Sequence, residues 1–311
     1  MRKRLQNKIA ESRYTLTFVA LYALAVWYLA GLVEHQYYVQ LACFTIGSYL
    51  MVELNNANAL IRIFSRMISS AFVALVAMST FLFPSLRAAL VTLCFISFYT
   101  ILFHTYQDRQ APGLTFYAFF TLGIASVMFP QVVFFVPFVW LMMAFWLMAF
   151  SWRMWFASLL GLLAPYWFIV PWYLYQGLGH RLTAHVESLI TFHPLPTIGT
   201  VGGIPIGILL AFAVVFTVGF IGIVHFLRNA SKDKIRTRML YYIFISMHLL
   251  TTVFIILQPQ HFEALFGFLI VNASALFAHF VALTNTRFTN IAFFVITLLV
   301  LALTGYNLWL V

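Results

Sequence analysis

Long apolar runs separated by short polar breaks follow one another from Tyr14 to the end of the chain. A run of about 18 or more apolar residues with few charges predicts a membrane-crossing helix. Eleven runs can be placed, roughly at 15–33, 38–54, 67–83, 87–105, 114–130, 131–150, 154–175, 203–227, 239–258, 263–284 and 289–310. The pattern predicts an all-α, polytopic transmembrane helix bundle. Residues 1–14 form a basic N-terminal segment, and 15–311 form one transmembrane domain. The fifth and sixth runs meet at "MFPQ", Met128 to Gln131. This is either a turn between two spans or a kink in one element, because proline is tolerated in membrane helices.

Charge orients the bundle. With the N-terminus in the cytoplasm, fifteen of the seventeen Lys and Arg residues fall on inner segments, and only Arg87 and Arg181 fall on outer ones. Basic residues gather at the cytoplasmic ends of spans, and a miscounted helix would scramble that alternation. The C-terminus then lies in the periplasm, ending in "GYNLWLV", whose Tyr306 and Trp309 suit an interfacial anchor.

Composition agrees with the pattern. The chain has 311 residues, 64% of them hydrophobic and 8% charged, against about 45–50% and about 25% in a soluble domain. No inter-run segment is long enough for a soluble nucleotide-binding domain, and no Gly-rich phosphate loop is present. The net charge of +10 would suggest nucleic acid in a soluble protein. Here the charges flank helices, so the expected partners are membrane lipids, with no nucleic acid and no cofactor. Cys43 and Cys94 lie in apolar runs and read as filler. The first run is too long for a signal-peptide core and reads as a retained helix.

The inner loop "ELNNANALIRIFSR", Glu53 to Arg66, concentrates polar residues. Asparagine can stop one helix and cap the next by bonding free backbone groups. Glu53 sits at the inner end of its run, where a buried charge is costly unless paired. Arg62 or Arg66 is its expected partner; a substrate or proton site and simple exposure to the headgroups are the alternatives.

Leu54 to Arg66 together with "GIASVMFPQVVFFVPFVWLMMAF" (Gly123 to Phe145) and "WRMWFASLLGLLAPYWF" (Trp152 to Phe168) resembles a family of multi-pass inner-membrane proteins of Bacteroidota. The likeness covers about Glu53 to Tyr175. It implies a Gram-negative inner membrane and a setting of envelope biogenesis beside polysaccharide functions, and it carries no activity.

The longest outer segment, 176–203, holds "GLGHRLTAHVESLITFHPLP". Read as a helix from about His180 to Phe192, it places Arg181, His185 and Ser188 on one face, with Leu182, Val186, Leu189 and Ile190 on another. An amphipathic connector in the interface accounts for this pattern. A periplasmic active site is the sharper reading. His185 and Glu187 are its candidate catalytic groups, and Arg181, His180 and His193 its candidate substrate ligands. Histidine near neutrality can take a proton from a sugar hydroxyl, and arginine can hold a pyrophosphate bidentately. His35, His261, Glu34, Glu263 and Arg87 fall on the same outer side. A metal site is not expected, since HExxH and CxxC are absent and His180–His185 spacing suits no single helix face.

Within the spans, His248, Asn272 and His279 are polar at depth. Such groups either bond across helices or mark a pathway. Three function classes follow: an envelope protein handling lipid-linked glycan at its outer face, a small-solute or lipid transporter, and a non-catalytic membrane subunit or scaffold. The first requires the outer Arg/His set to converge, the second a polar-lined cavity. A lipid-linked saccharide is the partner that the first implies. Protein partners are not legible. The charge pattern makes one firm prediction. A reporter fused after Val311 should behave as periplasmic, and one inserted at Asn229 to Lys234 as cytoplasmic; a cytoplasmic C-terminus would mean a miscounted span.

Overall fold

The computed structural model describes residues 4–191 and 204–310. All regular elements among them are helical. They are α1 (Leu5–Glu11), α2 (Thr15–Leu29), α3 (Tyr38–Asn58), α4 (Met67–Met78), α5 (Leu86–Leu102), α6 (Pro112–Met128), α7 (Val136–Phe145), α8 (Trp152–Tyr175), α9 (Gly179–Ile190), α10 (Ile206–Asn229), α11 (Ile235–Leu257), α12 (Phe262–Leu283) and α13 (Arg287–Leu310). Six helical segments, beginning at Leu86, Trp152, Ile206, Ile235, Pro259 and Arg287, are long and apolar enough to cross a membrane. Shorter apolar helices start at Thr15, Met67, Pro112 and Pro130. α3 carries the polar Glu53–Asn58 end on an otherwise apolar helix. At "MFPQ" the chain breaks: α6 stops at Met128, Phe129 is extended, and a 3-10 turn over Pro130–Phe135 leads into α7.

The chain divides into two compact units, 1–92 with 196–311, and 93–195. The run of apolar segments does not announce this division.

In the first unit α12 is the core. It is buried along its whole length and packs against α10, α4 and α11. Close approach to α10 depends on glycine, because a Cβ on Gly222 would stand 2.6 Å from the carbonyl oxygen of Leu276. Small residues let apolar helices approach to van der Waals contact where no hydrophobic drive separates lipid from protein.

Helix ends in this unit are closed by side chains. α12 stops near Leu283, and the carbonyls it frees need donors. Gln6 Nε2 donates to Val281 O at 2.8 Å and Thr284 O at 3.1 Å, and Asn7 Nδ2 to Thr284 O at 2.8 Å. α1 is therefore docked, with Gln6 fully buried, rather than a free basic tail. At the far end Asn307 Nδ2 donates to Met78 O (2.8 Å), where α4 stops.

The loop after α3 works the same way. Asn55 accepts from Ile61 N (3.2 Å) and donates to Ser65 O (3.0 Å), and Ala59 takes the left-handed conformation (φ 47°) that ends the helix. Asn58 Oδ1 accepts from Arg236 Nη2 at 2.8 Å. The asparagines thus stop a helix, frame the loop and tie it to the next basic segment.

In the second unit α6 and α8 pack most extensively. The contact is again glycine-based: a Cβ on Gly123 would lie 2.6 Å from Leu162 O and 3.0 Å from the Pro165 ring. Pro165 and Pro171 lie inside α8. Trp140 on α7 donates to Ser158 on α8 at 2.9 Å.

Gly222→Val should cost about 1–3 kcal/mol by overpacking, read as a lower melting temperature in detergent. Gly305→Ala, where a Cβ meets nothing within 4 Å, should be neutral or slightly stabilising. Equal stability of the Gly222→Val protein would refute the close crossing.

Candidate functional site

α9, Gly179–Ile190, is a short amphipathic helix, as the sequence pattern predicts, and none of its residues is fully buried. Leu182, His185, Ser188 and Leu189 are half-buried, while His180, Arg181 and Glu187 are exposed. His193 lies outside the described residues. Arg181 and His185 are one turn apart, but only His185 turns to the body of the unit.

There His185 joins a chain of hydrogen bonds. Its Nε2 is 3.0 Å from Tyr166 Oη on α8, which is 2.9 Å from Ser126 Oγ on α6. Ser126 donates to Gly123 O at 2.8 Å. The carbonyl has no proton, so the chain has one direction. Ser126 spends its hydrogen on Gly123 and accepts from Tyr166, and Tyr166 then accepts from an Nε2–H of His185. The neutral tautomer protonated at Nε2 leaves the lone pair on Nδ1. Burial lowers the imidazole pKa below its ordinary 6.5, which favours the neutral ring. Gln131 Nε2 donates to Ser188 O at 3.0 Å and pins the same helix. The arrangement is an oriented neutral base at the edge of an apolar unit, with an exposed arginine one turn earlier.

The other residues that the charge pattern assigned to the outer side are distributed differently. His35, stacked on Tyr37 at 5.3 Å, and His261, edge-on to Phe254 at 6.1 Å, belong to the first unit. No group of three or more His, Cys, Asp or Glu side chains that could hold a metal ion occurs among the described residues.

The first unit holds a second polar centre. Asp233 follows α10, and its side chain is 3% exposed. Its Oδ2 is 3.0 Å from Nε2 of fully buried His279, and its Oδ1 is 3.8 Å from Arg62 Nε. Arg62 Nη1 also donates to Lys232 O at 3.0 Å. Burial by itself would raise the Asp233 carboxyl. The hydrogen bond with His279, then the electrostatic interactions with His279 and Arg62, outweigh it, and the pKa falls below 3.8.

This corrects the expected partner of Glu53. Glu53 is exposed and has no ion pair among the described residues, whereas Arg62 reaches Asp233 and Arg66 lies over the Phe64 ring at 5.6 Å. An exposed carboxylate at a helix end keeps its hydration and needs no partner. Asp233, nearly dry, does.

The polar residues at depth are accommodated by packing. His248 stacks on Phe216 at 6.3 Å and fills the space left by Gly219. Asn272 Nδ2 donates to Phe268 O in its own helix at 3.0 Å. His279 alone is engaged with a charge. Tyr166 and Asp233 were not singled out from the sequence. Asp233 carried a usable signal, as the sole acid in the basic stretch Arg228–Arg238. Tyr166 carried a weaker one, a phenol within a span that needs a partner.

Compared with known proteins, the chain matches no protein-family model, no curated protein and no solved structure.

Asp233→Ala should strand the buried His279 nitrogen and cost about 1–3 kcal/mol, whereas Glu53→Gln should stay within about 0.5 kcal/mol, both read by thermal unfolding at pH 7. Since the folded pKa of Asp233 is depressed, its contribution is present above the unfolded value and disappears as pH falls through the folded one. The gap between wild type and Asp233→Ala should therefore close only below pH 3.8. A gap that closes near pH 6 would place the effect elsewhere.

Proposed function

We propose that this chain is an eleven-span protein of a bacterial inner membrane, N-terminus cytoplasmic and C-terminus periplasmic, that handles a lipid-linked saccharide at its outer face with His185 as general base. The span count is supported by the eleven helices α2–α8 and α10–α13, each of which coincides with an apolar run. The orientation is supported by the distribution of Lys and Arg between loops. The resemblance over Glu53 to Tyr175 points to the same membrane.

The observation that carries the chemistry is the directed chain from Gly123 O through Ser126 and Tyr166 to His185. A general base must be unprotonated, oriented and open on one nitrogen. The bond to Tyr166 orients the His185 ring, burial favours its neutral form, and the tautomer leaves Nδ1 with its lone pair, which supports this role. Arg181, exposed one turn away, can hold the pyrophosphate of a lipid-linked donor as a planar fork. Such a donor carries its own leaving group, which fits a chain built from apolar helices and short loops. Glu187 and His180, exposed on the same helix, are left as peripheral ligands for a polyhydroxylated substrate.

In a strain lacking the protein, complemented at equal protein level, His185→Ala should lower surface-glycan synthesis by about 10²–10⁴-fold. Tyr166→Phe removes the acceptor that orients Nε2–H and should give a smaller loss, without loss of the folded protein. Because burial depresses the His185 pKa, the rate measured in membranes should fall to half its plateau only at a pH below 6.5. Wild-type glycan from both variants would overturn the reading and leave α9 as an interfacial connector.

A further inference from the structure

A cavity of about 640 Å³ opens in the first unit beside the end of α10 and the α12–α13 connection. Its two ends differ in chemistry. Phe220, Val224 and Phe288 form an apolar wall along the helices, and Arg228, Lys232 and His225 stand at the polar end with Thr286. No aspartate or glutamate lines it.

Two features make the polar end a site for an anion. First, its cations lack counter-charges. Arg228 is exposed, Lys232 Nζ is bound only to the neutral Asn229 Oδ1 at 2.8 Å, and neither has a carboxylate partner among the described residues. Second, the nearest carboxylate is held elsewhere. Asp233 adjoins Lys232 in sequence, but its oxygens are taken by His279 and Arg62.

We propose that this cavity binds the phosphate headgroup of an anionic membrane lipid, with Arg228 and Lys232 around the phosphate and an acyl chain along the Phe220–Phe288 wall. A phosphate diester supplies acceptors for both cations, and charged groups make the stronger hydrogen bonds. The apolar wall selects a lipid over a free phosphate. Basic pockets between spans on the cytoplasmic side are the kind of site that takes acidic headgroups. The segment 230–234 is held in place by Arg62 on Lys232 O and Asp233, so the loop that follows α3 shapes the site without touching the ligand. The inference goes beyond the outer-face reading and stands if that reading fails.

Native mass spectrometry of the full chain in detergent, titrated with phosphatidylglycerol and with phosphatidylcholine of the same chain length, tests it. Phosphatidylglycerol should bind at least tenfold more tightly. Arg228→Ala with Lys232→Ala should weaken phosphatidylglycerol by about thirtyfold and leave phosphatidylcholine unchanged. Lys234→Ala, which removes a neighbouring charge that does not line the cavity, should change neither. Equal affinity for the two lipids, or equal loss from Lys234→Ala, would reduce the effect to general surface attraction and overturn the site. Glycerol phosphate binding as tightly as the lipid would overturn the lipid assignment. A folded double variant that retains full affinity would overturn the role of both cations.

Discussion

A helix that stops inside an apolar layer leaves carbonyl groups that water cannot reach, and the protein itself must supply their donors. Most of the polar residues in the first unit can be understood from that requirement. Gln6 and Asn7 close the end of α12, Asn307 closes α4, and Asn55 frames the loop after α3. None of these side chains is charged. An amide can donate and accept without the desolvation cost of an ion, which is why a chain with so few charges keeps its asparagines and glutamines at helix ends. The core helix α12 can then be buried on all sides, with its last carbonyls met by side chains of α1.

Charge is used where it can be matched. Asp233 is the one carboxylate described here as both nearly dry and paired, and it holds together three segments distant in sequence: the loop bearing Arg62, the connection after α10, and α12 through His279. The same pairing removes a negative charge from the neighbourhood of Lys232. A structural ion pair and an uncompensated basic cavity are thus two consequences of one side-chain orientation. In the second unit the polar device is different. A serine, a tyrosine and a histidine pass hydrogen bonds outward from a helix carbonyl, and the direction of that chain follows from donor counting alone.

Much of the fold was legible in the sequence because apolar length is a direct physical requirement of a bilayer. The apolar runs reappear as helices, six of them in segments long and apolar enough to cross a membrane, and the amphipathic α9 appears where its spacing predicted it. The asparagine-rich loop ends a helix as expected. The identity of the ion pairs was not legible. Arg62 was expected to meet Glu53, nine residues away in sequence, but it meets Asp233 across the unit. Local spacing cannot show which carboxylate is dry, and dryness decides which one needs a cation.

The sequence by itself determined the class, the helices and the charge asymmetry between loops, since each follows from composition summed along a run. Tertiary structure alone decided the tautomer of His185, the partner of Asp233, the close crossings at Gly123 and Gly222, and the grouping of Arg228 with His225 on one cavity. These depend on distances between segments far apart in the chain. Helical periodicity places a residue on a face, but only packing determines what that face meets.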